Sequence, residues 1–286
     1  MQRVIGEFSG KYEFLDLPDP NVALIEGVRW GAFEHPLTPA FWVSQAWLSC
    51  DPEERDFRLG YSLVEEVTIC LLGGYGIPAE IGLAAAARVL EGMASFGYPL
   101  SQSVLEGLLR EPLTINGRPV RYRFAKQRAA YLARALIELS MIDETALSDV
   151  ELREALRRLP GIGPKTASWI VRNRRGSDEV AILDVHIVRA CVMMNVFERN
   201  SEPSGNYFVL ERKFLDFCTA ARVRASVMDA IMWTTMRKIS KRLLHQLDYS
   251  LLSRELDPPL FQESFCQESI ACREQTVAVM TGRLRA

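Results

Sequence analysis

A proline–glycine segment that joins two helical stretches limits the possible folds of this chain more than any other feature. It reads LPGIGPKTA and covers residues 159–167. Pro160 ends the first helix, because proline has no amide hydrogen and restricts the residue before it. Gly161 and Gly163 can adopt backbone angles that are closed to other residues. The segment therefore predicts a helix, a tight hairpin and a second helix, with Ile162 fixing the hairpin to the core.

The hairpin is also a candidate anion site. Proline suits the first turn of the second helix, whose free amides add to those of the glycine turn. Converging amides of this kind bind phosphate, so Gly161, Ile162 and Gly163 are candidates to hold a phosphate group. Lys165 follows directly. Taken alone, it is a solvated lysine, a phosphate contact or a nucleophile.

A carboxylate stands at the next helix boundary, 19 positions after Lys165 in the segment ILDVH. Asp184 precedes the apolar run VHIVRACVMM and is therefore predicted to cap a helix. A cap is compatible with a chemical role, because the positive helix end would hold the carboxylate in place.

Helical signals dominate the rest of the chain, and the predicted fold class is mostly α. Thr38 before a proline, and the capping-box pairs Ser103 with Glu106 and Ser148 with Glu151, predict helix starts. Apolar periodicity predicts further helices over residues 62–72, 79–94 and 123–139. The best strand candidate is the segment at residues 22–30.

Composition narrows the class of protein. The chain is 48% hydrophobic, with no apolar run typical of a secretory signal or a membrane span, so we expect a cytoplasmic globular protein that binds no membrane. The six cysteines match neither a zinc site nor an iron–sulfur run and are expected to be reduced, mostly buried thiols. We therefore expect no metal.

Charge is distributed unevenly, although the formal net charge is only −2. Residues 118–134 carry six basic and no acidic side chains, and residues 153–175 carry seven basic and one acidic. Both runs could form one positive face for phosphate, and the alternative is a set of solvated helix faces.

The segment 159–189 resembles the helix–hairpin–helix superfamily of DNA glycosylases, in its lysine-bearing branch of endonuclease III-like and 8-oxoguanine enzymes. The resemblance implies that Lys165 is the nucleophile, that Asp184 is the essential acid, and that His186 lies near a DNA phosphate. It also implies two helical subdomains with the hairpin at the cleft between them, double-stranded DNA with a damaged base as the partner, and no cofactor. The adenine-specific branch lacks a lysine here.

The chemistry fits these two residues. A carboxylate stabilises the oxocarbenium character that develops when the glycosidic bond breaks. An unprotonated lysine can attack C1′, displace the base and form a Schiff base, which permits β-elimination of the strand. Such a lysine needs its pKa lowered by burial or by a cationic neighbourhood, and Arg172, Arg174 and Arg175 are close in sequence.

The segment SVMDAIMW, at residues 226–233, resembles the helix that holds the flipped base in 8-oxoguanine glycosylases. Asp229 and Trp233 are four positions apart and so lie on one helix face. An ionised Asp229 can accept both donors of guanine's Watson–Crick edge, and Trp233 can stack on an extruded base. Alternatively, Asp229 is a first-turn acid and Trp233 belongs to the core.

A glycine-rich turn, LLGGYGIP at residues 71–78, lies where related glycosylases insert a residue into the vacated base stack. Tyr75 is the candidate DNA contact, with Ile77 as the alternative. The four-cysteine iron–sulfur signature of many endonuclease III-like enzymes is absent, which favours the 8-oxoguanine branch.

The resulting hypothesis is a bifunctional DNA glycosylase and AP lyase for 8-oxoguanine. The alternatives are a lysine-dependent glycosylase for oxidised pyrimidines and a non-catalytic helix–hairpin–helix DNA-binding module. We expect a monomer in the cytoplasm of a bacterium or archaeon. The predicted domains are an N-terminal segment (1–55), a glycosylase core (56–240) and a C-terminal extension (241–286).

Overall fold

The computed structural model describes residues 1–49, 57–74, 76–240, 242–244 and 246. The predicted mostly helical fold is confirmed. The described residues form the helices α1 Pro39–Leu48, α2 Leu63–Leu72, α3 Ala79–Phe96, α4 Gln102–Arg110, α5 Ala125–Leu139, α6 Asp149–Leu156, α7 Pro164–Arg175, α8 Val185–Met193, α9 Pro203–Ala221 and α10 Ala225–Met236. In α9, residues 204–206 depart from helical geometry.

Three antiparallel hairpins supply the strands. They are β1 Gln2–Phe8 with β2 Lys11–Leu17, β3 Ala23–Ile25 with β4 Val28–Arg29, and β5 Leu113–Ile115 with β6 Arg118–Val120. The register of β1 and β2 runs from Gln2 opposite Leu17 to Phe8 opposite Lys11. The single strand predicted over residues 22–30 is instead two short strands, because Gly27 has a positive φ of 74° and turns the chain between them.

Local capping chemistry starts several helices where the sequence predicts. The Thr38 side chain accepts the Phe41 amide at the start of α1, and Ser148 with Glu151 forms a complete capping box on α6. The predicted box of Ser103 with Glu106 is wrong, since Ser101 caps α4.

The reason for that difference lies in two competing contacts. The Ser103 hydroxyl pairs with the Ser101 hydroxyl at 3.0 Å, and the Glu106 carboxylate accepts from Arg110 Nε at 2.7 Å. Neither side chain is therefore left to cap the helix.

One hydrophobic core spans α2 to α7 and includes Leu71, Leu132, Leu136 and Ile170, all fully buried. The hairpin between α6 and α7 is anchored in this core. Residues 1–233 form one compact unit, which contains every residue of the site described below, and the described residues from Thr234 onward do not belong to it. The predicted domain boundaries at residues 55 and 240 stay predictions.

Three cysteines are described, Cys70, Cys191 and Cys218, and all are buried free thiols, as expected. Cys50, Cys266 and Cys272 lie outside the described residues. Among the helices that the structure describes, none is long and apolar enough to cross a membrane.

Candidate active site at the hairpin

The hairpin has the predicted geometry, and it requires a glycine at one position. Gly161 has a φ of +80°, and a Cβ there would lie 2.5 Å from Tyr131 Cδ2. Ile162 is buried, and its amide donates to the Leu159 carbonyl at 3.2 Å. The sequence therefore places a rigid turn against α5, held by one apolar side chain.

The second glycine leaves space beside the turn for a ligand. Gly163 is the N-cap of α7 and supplies no side-chain acceptor, while Pro164 occupies the first helical position. No described atom lies within 4 Å of a Cβ built on Gly163. The first amides of α7 thus form the type of backbone donor group that binds an anion.

Lys165 lies half-buried in the first turn of α7, directly beyond the hairpin. Its positive charge acts on Cys70 of α2, a buried thiol whose pKa is raised well above its ordinary value by desolvation. The charges of Arg172 and Lys165 both oppose that rise, so both cations lie within electrostatic range of the Cys70 sulfur.

Asp184 is the N-cap of α8, as predicted. Its Oδ1 accepts the amides of His186 at 2.8 Å and Ile187 at 3.0 Å. Both bonds end on one oxygen, and this leaves Oδ2 of the half-buried carboxylate to interact with a substrate. The cap fixes the side chain, and its catalytic role stays a prediction.

His186 follows Asp184 in the first turn of α8 and is half-buried. Its Nδ1 is buried and has no hydrogen-bond partner within the described part of the chain. The predicted phosphate contact would give the imidazole a partner, but no contact here tests it.

Asp229, on α10, is 1% exposed and lies against Arg172 of α7, with Nη2 3.1 Å from Oδ1. Desolvation raises the pKa of Asp229 to about 6, against the lowering effect of Arg172. The charge of Asp184 raises it further, so the two carboxylates are neighbours.

The Asp229 carboxylate has unused acceptor capacity. The Arg172 guanidinium and the Ile182 amide both face it, yet neither oxygen makes a hydrogen bond of good geometry within the described residues. Trp233, the other predicted base contact, lies half-buried one helical turn further along α10. The structure thus places a nearly unpaired acceptor pair on the same helix as an indole ring.

The three arginines expected near Lys165 all have acidic partners. Arg172, Arg174 and Arg175 each form an ion pair, with Asp229, Glu144 and Asp149 respectively. These acidic residues lie outside the basic run at 153–175, so the sequence of the run alone does not show that these cations are paired. Arg153 and Arg157 are also ion-paired, so five of the seven cations of this run contribute little to a positive surface.

Part of the other basic run has no acidic partner. Arg118, Arg121, Arg123 and Lys126 are exposed, and no acidic group lies within 4 Å of them in the described part of the chain. Arg134, at the far end of the run, pairs with Glu138. A positive face therefore exists at the start of α5 and the hairpin before it.

One exposed aromatic side chain in this surface was not predicted from the sequence. The Phe124 ring is 37% exposed, and the Arg123 guanidinium stacks on it at 4.8 Å. Both approach Gly76, in the turn between α2 and α3. The run RYRFAKQR, an aromatic among basic residues, was the signal that could have found it.

The turn between α2 and α3 was predicted to supply a residue that enters the DNA stack. Tyr75 lies outside the described residues. The alternative, Ile77, is buried in the core and is not available for that role in this structure.

The glycine hairpin, the lysine beyond it and the aspartate that caps the next helix define a helix–hairpin–helix protein of the glycosylase type. Comparison with known proteins narrows this class. The sequence model of the Ogg-HhH family, described as 8-oxoguanine DNA glycosylase, matches residues 62–223, more than half of the chain. The protein belongs to this family.

Two curated relatives are named 8-oxoguanine DNA glycosylase/AP lyase. The protein from Metallosphaera sedula is 33% identical over 116 residues, which is 39% of this chain and 57% of the relative. The protein from Fusobacterium nucleatum is 26% identical over 122 residues, 39% of this chain and 56% of the relative. The matched part thus spans a little over half the length of these curated relatives.

A solved structure supports the fold. The 8-oxoguanine DNA glycosylase of Thermotoga maritima superposes with a TM-score of 0.50 at 22% identity, covering 71% of this chain and 86% of that one.

Proposed function

We propose that this protein is a bifunctional DNA glycosylase and AP lyase that flips 8-oxoguanine out of double-stranded DNA and excises it. The observation that carries the proposal is the placement of Lys165 and Asp184 in the first turn of α7 and at the cap of α8, in a chain of the Ogg-HhH family. The names of the two curated relatives support both activities.

The proposed chemistry uses these two residues in turn. The neutral amine of Lys165 attacks C1′ of the sugar, the glycosidic bond breaks, and the base leaves with its electron pair and takes up a proton. Asp184 faces the positive charge that develops on the sugar and lowers the barrier by electrostatic stabilisation. Loss of a proton from the nitrogen and opening of the sugar ring give a Schiff base. Removal of a C2′ proton then expels the 3′ phosphate.

Base recognition is assigned to Asp229 and Trp233. The two Asp229 oxygens lack well-formed hydrogen bonds among the described residues, and guanine offers two donors, N1–H and the N2 amine. The ion pair with Arg172 leaves acceptor capacity on this buried carboxylate, so a base that supplies both donors gains affinity from satisfying it. The Trp233 indole would stack on the flipped base.

DNA binding is assigned to two surfaces. The amides of the hairpin at Gly161, Ile162 and Gly163, together with His186, would hold the phosphates beside the lesion. The exposed basic residues at 118–126 would hold the flanking backbone, with counterion release as the driving force. We further propose that the protein acts as a monomer in the cytoplasm of a bacterium or archaeon, which agrees with the sources of its relatives.

Two alternatives are less well supported. A glycosylase for oxidised pyrimidines would not need an acceptor pair such as Asp229, and the family match is to 8-oxoguanine glycosylases. A purely DNA-binding module would need neither Lys165 nor Asp184 at these positions.

A panel of lesion-bearing duplexes tests the proposal. Single-turnover release of the base is measured for 8-oxoguanine, guanine and thymine glycol, and strand cleavage is measured for a preformed abasic site. We expect release of 8-oxoguanine at least about 100-fold faster than of the pyrimidine lesion, because a site built to hydrogen-bond its substrate rejects analogues that lack the matching groups. Faster release of the pyrimidine lesion would favour the first alternative, and DNA binding without any release would favour the second.

A further inference from the structure

The backbone that carries Asp184 is irregular and deeply buried. Residues 180–183 have no regular secondary structure, yet all four side chains are buried. A buried segment outside helix and sheet must find partners for its amides and carbonyls elsewhere. Its position, and so that of Asp184, depends on those partners.

Two side chains of α9 supply most of these partners. The Tyr207 hydroxyl donates to the Ala181 carbonyl at 2.6 Å and accepts the Leu183 amide at 3.3 Å. The Glu211 carboxylate accepts the Ala181 amide through Oε1 at 3.0 Å. Leu183, whose amide donates to Tyr207, is the residue directly before Asp184.

Glu211 also reaches the helix that carries the lysine. Its Oε1 accepts from the Ser168 hydroxyl of α7 at 3.2 Å, and its Oε2 forms a buried ion pair with Arg153 of α6. Ser168 stands three residues after Lys165. One carboxylate therefore joins the segment before Asp184 to both helices of the helix–hairpin–helix.

The burial of this network makes it rigid. Tyr207 is 6% exposed and Glu211 4%, and burial raises the pKa of the Tyr207 phenol, so it remains a donor across the physiological range. If one of these hydrogen bonds is removed, a water molecule does not take its place, because the buried groups have no access to solvent.

We propose that Tyr207 and Glu211 are positioning residues that set the distance between Lys165 and Asp184. The inference rests on the proposed function and extends it to α9, which carries none of the residues assigned to chemistry or to the base. A displacement of one ångström in a reacting group can lower a rate by about 100-fold, so this network controls the chemical step without touching DNA.

Replacing Tyr207 by phenylalanine tests the proposal with little change in packing. Tyr207→Phe removes one hydroxyl and its two backbone bonds but leaves Glu211 with Arg153. The matched control is Tyr98→Phe, which removes a hydroxyl bonded to the Leu136 carbonyl at 2.6 Å, in another part of the molecule. Three quantities are measured: single-turnover release of 8-oxoguanine, borohydride trapping on a preformed abasic duplex, and hydrogen exchange of the Leu183 amide.

The expected pattern separates positioning from general instability. In Tyr207→Phe, base release falls by about 10- to 100-fold, while trapping on the abasic duplex, which needs the lysine amine but no base departure, falls by less than about 3-fold. Exchange of the Leu183 amide accelerates by at least about tenfold, and DNA affinity stays within about 3-fold. Tyr98→Phe changes none of these.

Several results would overturn the inference. Base release within about twofold of the wild type, equal losses in release, trapping and affinity, or unchanged Leu183 exchange would each do so. If Tyr207→Phe does not fold, Ser168→Ala replaces it, with the same split expected at a smaller size. A wild-type protein that releases no base refutes the proposed function, whereas a normal wild type with a normal Tyr207→Phe refutes only the positioning role.

Discussion

Asp184 combines a structural contact with a proposed chemical one, and a single substitution can separate them. Asparagine caps helices as well as aspartate does, since its Oδ1 can accept the same two amides. Asp184→Asn therefore keeps the α8 cap and removes only the charge.

We expect Asp184→Asn to lower 8-oxoguanine release by at least about 100-fold, because it removes the stabilisation of the oxocarbenium-like state. The free energy of unfolding should change by less than about 1 kcal/mol. Single-turnover kinetics and urea unfolding measure the two effects. Asp143→Asn is the matched control, since Asp143 also accepts a local amide, from Thr145 at 2.9 Å, at an exposed site. An Asp184→Asn protein that folds and releases the base at the wild-type rate would show that the residue acts as a cap alone.

Asp229 gives the protein a pH dependence whose sign follows from its raised pKa. The folded state binds this proton more tightly than the unfolded state, with a pKa of about 6 against an ordinary value of 3.8. The contribution of Asp229 to stability therefore decreases as pH rises from about 4 to about 6 and is constant above that range. Its size is of the order of 3 kcal/mol at most. Urea unfolding of Asp229→Asn should lack this part of the decrease.

Recognition of the base should depend on pH with the opposite sign, so that it strengthens as pH rises. Only the ionised Asp229 accepts both guanine donors, so preference for the lesion should weaken below pH 6. The ratio of affinities for 8-oxoguanine and thymine glycol duplexes, measured in a Lys165→Ala background to prevent turnover, should fall by about tenfold from pH 7 to pH 5, because thymine glycol lacks the paired donors of the guanine edge. Asp229→Asn should make this ratio low and independent of pH. An unchanged pH dependence in that variant would remove Asp229 from the base pocket.

Among the secondary-structure elements, the hairpin contains two glycines whose positions differ in whether they tolerate a side chain. Gly161 has a positive φ and contacts Tyr131, whereas Gly163 has an ordinary φ of −91° and an open Cβ position. Gly161→Ala should therefore lower the free energy of unfolding by at least about 1–2 kcal/mol, the cost of the left-handed conformation alone.

Gly163→Ala should stay within about 1 kcal/mol of the wild type and instead weaken DNA binding, because the methyl group would stand where the phosphate approaches. Thermal unfolding and anisotropy titration compare the two variants. Equal DNA affinity of Gly163→Ala and wild type would place the phosphate elsewhere.

The elements that the sequence predicted well are those fixed by neighbours in the chain. Thr38, Ser148 and Asp184 cap their helices through amides two or three residues away, and Pro164 starts α7 through its own fixed backbone. Such contacts are visible in the order of residues alone.

The longest strands, β1 and β2, were not predicted, because their two faces do not separate apolar from polar residues. Ile5 and Phe14 are paired with each other on the exposed face, while Gln2 is buried through hydrogen bonds to the carbonyls of Pro18 and Gly31. Alternation of hydrophobicity is therefore lost, although the Ser9–Gly10 turn, with both φ values positive, is of a kind that favours hairpins.

The sequence predicted the residues of the candidate site but not the residues that hold them in place. Lys165, Asp184, Asp229 and Trp233 come from short motifs. The partners of Arg172, Arg174 and Arg175, and the role of Tyr207 and Glu211, depend on contacts between distant parts of the chain, such as the 58 positions from Arg153 to Glu211. No local pattern contains that information.

At the level of the whole molecule, the net charge is only −2, although the described residues include a basic surface without acidic partners. DNA binding should therefore depend on salt through the few cations of residues 118–126. Replacing Arg121 and Arg123 by glutamine should reduce the slope of log affinity against log salt by about 2, or one unit for each lost phosphate contact. Arg110→Gln is the control, since Arg110 pairs with Glu106. A slope that the double variant leaves unchanged would place the DNA on another surface.

The central claim is that Lys165 forms a covalent bond with the sugar of the lesion, and borohydride trapping tests it most directly. Wild-type protein incubated with an 8-oxoguanine duplex and borohydride should give a stable protein–DNA complex, and peptide mapping should place the bond on Lys165. Lys165→Ala should give none, while Lys213→Ala, which removes an ion-paired lysine of α9, should trap as the wild type does. A Lys165→Ala protein that still becomes trapped would contradict the account.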